Sequence, residues 1–275
     1  MTPNNPNAPL DSASWSNRLP PRWPKPSLLV IFGCVLTAGF FVHGLLISNL
    51  TPDRVLRGVQ GLGMFIAQAF PPSTNRFGSI LAAIVETFEM GLVGTVLGAL
   101  LAFPLSVLVA HNTSPHPIVS NISRGIITFL RVIPDLVWGL LFITLVGFGP
   151  GAGILALTVD VTGFCTKFFA ERIEEIEPGP VIALEAIGAS RLAIIMGSIF
   201  PTTLPSFVAS ILFSLEGSVR SAAVLGLVGA GGIGTELTAS MGLLRYDEAF
   251  MMMLLIFAVV LSIEKISERI RKAII

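Results

Sequence analysis

The stretch ERIEEIEPGPVIALEAIGASRLAIIMGSIFP, residues 171–201, separates two long apolar runs. Its first ten residues are acidic and contain Pro178 and Pro180, which break any helix begun at Glu171. The remainder is amphipathic and carries Ala183, Ala186, Gly188 and Ala189, small residues that let another protein's backbone approach closely. Such a loop helix reads as a docking element, or more plainly as a solvated connector. The flanking runs, Gly151 to Ala170 and Thr203 to Val228, are long enough at about 1.5 Å per residue to cross about 30 Å of hydrocarbon. Further runs of that kind lie at Leu28 to Ser48, Ser79 to Ala110, Ile126 to Phe148 and Tyr246 to Glu264. A GFGPG reversal at Gly147 to Gly151 joins the third to the fourth. The expectation is an all-α membrane protein with six transmembrane helices.

Composition agrees. Of 275 residues, 53% are hydrophobic and 12% charged, with a mean hydropathy of +0.82, whereas a soluble domain carries about 25% charged residues. A soluble enzyme is therefore not expected. Seventeen basic residues balance seventeen acidic ones, so no basic field exists to hold nucleic acid by counterion release. Cys34 and Cys165 sit in apolar stretches with no ligand neighbour at usable spacing, which excludes a disulfide framework and a zinc site. Nothing marks His43, His111 or His116 as a metal ligand, and no metal is expected.

Residues 1–26 hold seven prolines among Asn and Ser, a composition that buries no core and reads as a flexible cytoplasmic tail ahead of a transmembrane domain, residues 27–275. The first apolar run has no A-x-A-like site after it, so it is read as a retained span and not a signal peptide. After Pro52, Val55, Val59, Leu62, Ile66 and Ala69 recur at helical spacing between polar residues, the pattern of an interfacial helix. With the amino terminus inside, eleven basic residues fall on the inner side and four (Arg54, Arg57, Arg76, Arg245) on the outer, while Arg131 and Arg220 lie within spans. That bias places both termini in the cytoplasm.

The 171–201 loop resembles the coupling loop of ABC importer permeases, written E-A-A, three residues, Gly, nine residues, I-x-L-P. Gly188 and Pro201 keep the spacing, whereas the motif glutamate falls on Ile182 and an acid appears one turn later at Glu185. ETFEMGLVGTVLGALLAFPLSV from Glu86, RVIPDLVWGLLF from Arg131, GFGPGAGILAL, AERIEEIEPGP, AIGASR and LEGSVRSAAVLGLVGAGGIG (Leu215 to Gly234) further resemble the permease subunit of phosphonate ABC transporters, in that family's order. The resemblance covers about residues 80–240. It implies a type I importer fold in the plasma (inner) membrane and a homodimer of this chain. It also implies two ATP-binding cassette subunits and an extracytoplasmic substrate-binding protein. ATP and Mg would sit in the partner subunits, since this chain lacks the G-x-x-x-x-G-K-[ST] phosphate loop and needs no cofactor of its own. The coupling contacts would come from Ala183, Glu185, Ala186, Gly188, Ala189, Arg191 and Pro201.

Gly229, Gly231 and Gly234 spell G-x-G-x-x-G, with Gly232 between them, but they end a membrane span and do not open a helix after a strand, so dinucleotide binding is dismissed. The glycines serve close helix packing, or a gate or substrate contact. Ionisable residues within spans cost about 2.5–3.5 kcal/mol on insertion scales and need a partner or water. Arg131 with Asp135, and Glu216 with Arg220, stand four apart, and Glu86 and Glu89 three apart, so ion pairing is the plain account of them. Asp160 has no basic neighbour in its own span and meets Arg131 or Arg220 across the bundle or faces water.

The expected substrate path for a phosphonate-like oxyanion centres on Arg220, about 12 Å inside the outer end of its span. Glu216 would temper it, Ser218 and Ser221 would add neutral donors, and Arg131, Asp160 and Glu86 would be accessory. Backbone N–H groups of the Gly229–Gly234 segment would lie at the mouth. Competing classes are an ion-coupled secondary transporter using Glu86, Glu89 and Asp160, and a membrane anchor.

Overall fold

A computed structural model describes residues 26–48 and 51–274. The expected tail, residues 1–26, therefore lies outside the described residues except for Pro26. The helices are α1 (Leu28–Ser48), α2 (Pro52–Ala69), α3 (Phe77–Val109), α4 (Pro117–Val132), α5 (Asp135–Val146) and α6 (Pro150–Glu174). They continue as α7 (Pro178–Ala186), α8 (Arg191–Gly226), α9 (Gly232–Gly242) and α10 (Tyr246–Ile274). No strand occurs among the described residues. α8 is 36 residues long and carries one π turn, Ile195–Ile199.

The chain divides into two units, up to Gly63 and from Met64 onward. In the first, α1 has no Asp, Glu, Lys or Arg and none of its residues is buried, as suits a helix made for hydrocarbon. The amphipathic α2 begins there, with Asp53 and Arg57 paired at 2.8 Å one turn apart on its polar side.

The second unit is built on α3, α6 and α8. Gly91, Gly94 and Gly98 form a stripe down α3, and a β-carbon added to them would strike Val219, Leu157 and Val161 respectively. Without side chains there, α3 closes onto α6 and α8 to backbone distance, the small-residue packing that holds helices together where water supplies no drive. Gly94 meets Leu157 and Gly98 meets Val161, so α3 and α6 run parallel. Phe103 packs on Phe207 while Gly91 meets Val219, so α8 runs antiparallel to both. Phe169 stacks on Phe207 at 4.1 Å and anchors a core at the end of the bundle nearest α7. At the opposite end, Met252 of α10 packs with Ile80, Ile84 and Ile233.

The expected third span, Ile126 to Phe148, is not one helix. α4 and α5 meet at an 89° bend, because Pro134 removes a backbone donor and forces Ile133 into an extended conformation. α5 is 12 residues, about 18 Å, too short to cross alone. The pair nevertheless traverses the bundle. Parallel α3 and α6 require a return between them. α4 climbs from Glu174, bonded by Arg124, to Gly163, covered by Arg131, and α5 continues until Gly149 N–H meets Gly229 O at 3.0 Å. The remaining five expected spans appear as long apolar helices.

Candidate functional site

At the glycine-rich end, α8 turns into α9 within Leu227–Gly231. Gly226 and Gly234 lie back to back, so that a β-carbon on Gly226 would stand 2.7 Å from the Gly234 α-carbon. The turn between them runs through positive φ at Gly229, Gly231 and Gly232. α9 therefore starts beside α3, and α3 caps it. Glu86 Oε1 accepts from Gly232 N–H at 3.2 Å and Thr87 Oγ1 from Ile233 N–H at 2.8 Å. A carboxylate at a helix amino terminus is favoured by the peptide dipoles as well as by the bond. These two N–H groups, expected to face a ligand, are satisfied within the chain. The sequence signal was present in Glu86-Thr87 but no spacing rule links it to a loop 146 positions away.

Around this end, Arg76 bonds Glu236 at 2.8 Å and Glu248 at 3.4 Å, fastening the starts of α3, α9 and α10 together. The bond to Glu236 raises the Arg76 guanidinium above its already high ordinary pKa. Ser240 Oγ lies 3.3 Å from the buried Glu248 carboxylate.

In the middle of α8, the pairing expected from four-residue spacing is replaced. Glu216 bonds Arg271 of α10 at 2.7 Å, with side chains 12% and 26% exposed, and not Arg220. The Glu216 carboxylate faces α10, while Arg220 is exposed and has no hydrogen-bond or ion-pair partner among the described residues. Ser218 is buried with an unpartnered hydroxyl, and Ser221 is half-buried.

The break between α4 and α5 gathers Arg131, Asp135 and Asp160. Arg131 and Asp135, expected on one helix face, are divided by the break; Asp135 instead accepts from Leu136 N–H at 2.8 Å at the start of α5. Arg131 lies over Gly163 of α6. Asp160, half-buried, feels the like charge of Asp135 and the opposite charge of Arg131, with no ion pair to Arg131.

In the 171–201 loop, α7 ends at Ala186 and does not run on to Arg191. Gly188 takes φ +77°, its N–H donates to Glu185 O at 2.9 Å, and Ala189 N–H donates to Leu184 O at 3.0 Å. This is a Schellman stop, with Ala189 packed alongside Leu184 in the apolar core. Ser190 then caps α8 by accepting from Ala193 N–H. Gly188 is thus a conformational requirement, with open space where its β-carbon would be. Ala183, Glu185, Ala186, Arg191 and Pro201 are exposed, and so are the apolar Ile182 (58%) and Ile187 (79%).

Residues 94–274 match the family model of the binding-protein-dependent transport system inner membrane component. The phosphite transport system permease protein PtxC of Stutzerimonas stutzeri is 33% identical over 88% of this chain and 86% of its own length. The phosphate-import permease protein PhnE of Mycolicibacterium smegmatis is 32% identical over 86% of this chain, which spans 47% of that relative. Among solved structures, the inward-facing MetNI methionine ABC transporter aligns at a TM-score of 0.66 and 24% identity, over 74% of this chain and 99% of that one, which establishes a shared fold. The chain belongs to the inner membrane components of binding-protein-dependent transport systems, the multi-pass permease subunits of ABC importers.

Proposed function

We propose that this permease carries phosphonate or a related phosphorus oxyanion, such as phosphite or phosphate, by alternating access. Two copies of the chain enclose the path, two ATP-binding cassette subunits hydrolyse Mg-ATP and drive it, and an extracytoplasmic binding protein delivers the anion. Both termini, and the 171–201 loop, face the cytoplasm. The observation that carries the substrate reading is Arg220, an exposed cation six residues before the end of a 36-residue apolar helix whose neighbouring carboxylate, Glu216, is already held by Arg271. An unpaired guanidinium at such a position is costly unless it meets water or an anion, and its planar fork matches a phosphorus oxyanion. Relatives named for phosphite and phosphate transport support the same class.

On the cytoplasmic side, the exposed Ile182, Ala183, Ala186 and Ile187 present an apolar, low-profile surface for a groove of the ATPase subunit, and Gly188 sets the angle at which that surface meets α8. Ile182 in place of the motif glutamate makes this contact more apolar. At the other face, Gly229, Gly231, Gly232 and Gly234 act as a joint latched to α3 by Glu86.

The test is uptake of phosphonate, phosphite and phosphate by the assembled importer carrying Arg220→Lys and Arg220→Gln. Arg220→Lys is expected to leave assembly and basal ATPase intact while reducing uptake at least tenfold. Loss of assembly in Arg220→Lys, or normal uptake in Arg220→Gln, overturns the assignment. Uptake that survives ATP depletion but collapses with the proton gradient would instead establish an ion-coupled carrier.

A further inference from the structure

We propose a second anion site, separate from Arg220, in the groove between α4 and α6 at the end nearest α7. It takes a phosphate-type oxyanion, either a free anion or the headgroup of an anionic phospholipid. A cavity of about 120 Å³ opens there, lined by Arg124, Thr128 and Arg131 of α4 and by Lys167 and Glu171 of α6, over an apolar floor that includes Ile127 and Ala170.

The uncommitted cation in this lining points to an anion. Arg124, Arg131 and Lys167 line the cavity beside Glu171, with Glu174 held against Arg124. Arg124 is bonded by Glu174 and also donates to Val109 O at 3.3 Å, which fixes the rim of the cavity. Lys167 is ion-paired with Glu171 at 3.6 Å, too long for a hydrogen bond, so its ammonium protons stay available. Arg131, which is exposed, has no ion-pair partner among the described residues, and Asp160 lies near it without an ion pair. Two guanidiniums and an ammonium around Ile127 and Ala170 form a clamp for tetrahedral oxygen atoms, with forked donors from Arg and a mobile one from Lys. The geometry also admits a lipid headgroup, because Arg131 and Lys167 are both exposed and can be reached from outside the bundle. The site rests on the cavity and its charges and does not depend on the transport reading.

Trp138 supplies the reporter, since its indole N–H donates to Leu130 O at 3.3 Å, one residue from Arg131. The full chain carrying Trp15→Phe and Trp23→Phe, which leaves Trp138 as its single tryptophan, is placed in lipid nanodiscs. One arm titrates inorganic phosphate and methylphosphonate in pure phosphatidylcholine. The other titrates phosphatidylglycerol content without added phosphate. A saturable change in Trp138 emission is expected, its midpoint at least tenfold weaker in Arg131→Gln and in Lys167→Gln. Arg172→Gln, which removes an exposed cation outside the cavity, is expected to leave the midpoint unchanged. A response in the first arm identifies a free-anion site, and a response confined to the second identifies a headgroup site. Lys167 is half-exposed, so its variant folds even where Arg131→Gln does not. No saturable response in either arm, or midpoints in Lys167→Gln equal to wild type, overturns the proposal, and neither outcome bears on uptake through Arg220.

Discussion

Gly234→Ala tests whether the α8–α9 joint is held by backbone contact. The added methyl would meet Ala223 O and stand 2.7 Å from the Gly226 α-carbon, both backbone atoms that cannot rotate away. Ordinary carbon contacts lie at about 3.5–4.0 Å, so the segments must part by about 1 Å. Overpacking of this kind costs about 1–3 kcal/mol, and the rigid contact atoms place Gly234 at the upper end. Alanine returns up to about 1 kcal/mol through its better helix propensity. A net loss of about 2 kcal/mol remains, equivalent to a fall in melting temperature of about 4–8 °C for a domain of this size. The same displacement draws Gly232 N–H off Glu86, now at 3.2 Å, so Glu86→Gln should add little in the Gly234→Ala background. The assay is thermal unfolding of the detergent-solubilised chain by tryptophan emission. Gly217→Ala is the control, because it lies inside α8 with nothing within 4 Å of its added methyl and should melt at or above wild type. If Gly234→Ala and Gly217→Ala melt within 1 °C of each other, the contact argument is wrong.

Three further outcomes are expected. Glu216→Gln strands Arg271 and should cost about 1.5–3 kcal/mol in unfolding, part of which Glu216→Gln/Arg271→Gln recovers, whereas pairing Glu216→Gln with Arg220→Gln recovers nothing. Gly188→Ala should cost about 1–2 kcal/mol of loop stability through its left-handed φ while leaving ATPase association intact, and Ala183→Trp should do the reverse, seen by comparing melting with co-purification. In a chain freed of Cys34 and Cys165, an impermeant thiol reagent added to intact cells should label Asn75→Cys and spare Glu177→Cys; the opposite pattern inverts the orientation.

Hydropathy was enough to find α1, α3, α6, α8 and α10, because a run without charges that exceeds the hydrocarbon thickness has few other uses. It was blind to the α4–α5 break, since Ile133 and Pro134 are as apolar as their neighbours; the legible signal was conformational, a proline followed by Asp135 at a helix start. For the charged residues, four-residue spacing named Arg220 as the partner of Glu216 because it compares positions on one helix only. The partner found, Arg271, is 55 residues away and comes into reach through the antiparallel packing of α10 on α8. Gly188 was read as a small docking residue. Its φ, which sequence spacing does not report, gives it a role in ending α7.

The glycine stripe on α3 also limits how the protein can change shape. With Gly94 and Gly98 seated against Leu157 and Val161, sliding α3 along α6 by one residue, about 1.5 Å, drives side chains into backbone on both helices. The two helices therefore travel as a single plank. Freedom of movement is left to two joints, Ile133–Pro134 and Leu227–Gly231, where the hydrogen-bond ladder is already interrupted. The first borders Arg131 and Asp160, and the second borders Glu86. In the proposed mechanism a push on α7 would travel along rods and be spent at these pivots, and a substitution that stiffens either one should slow the cycle without loosening the fold.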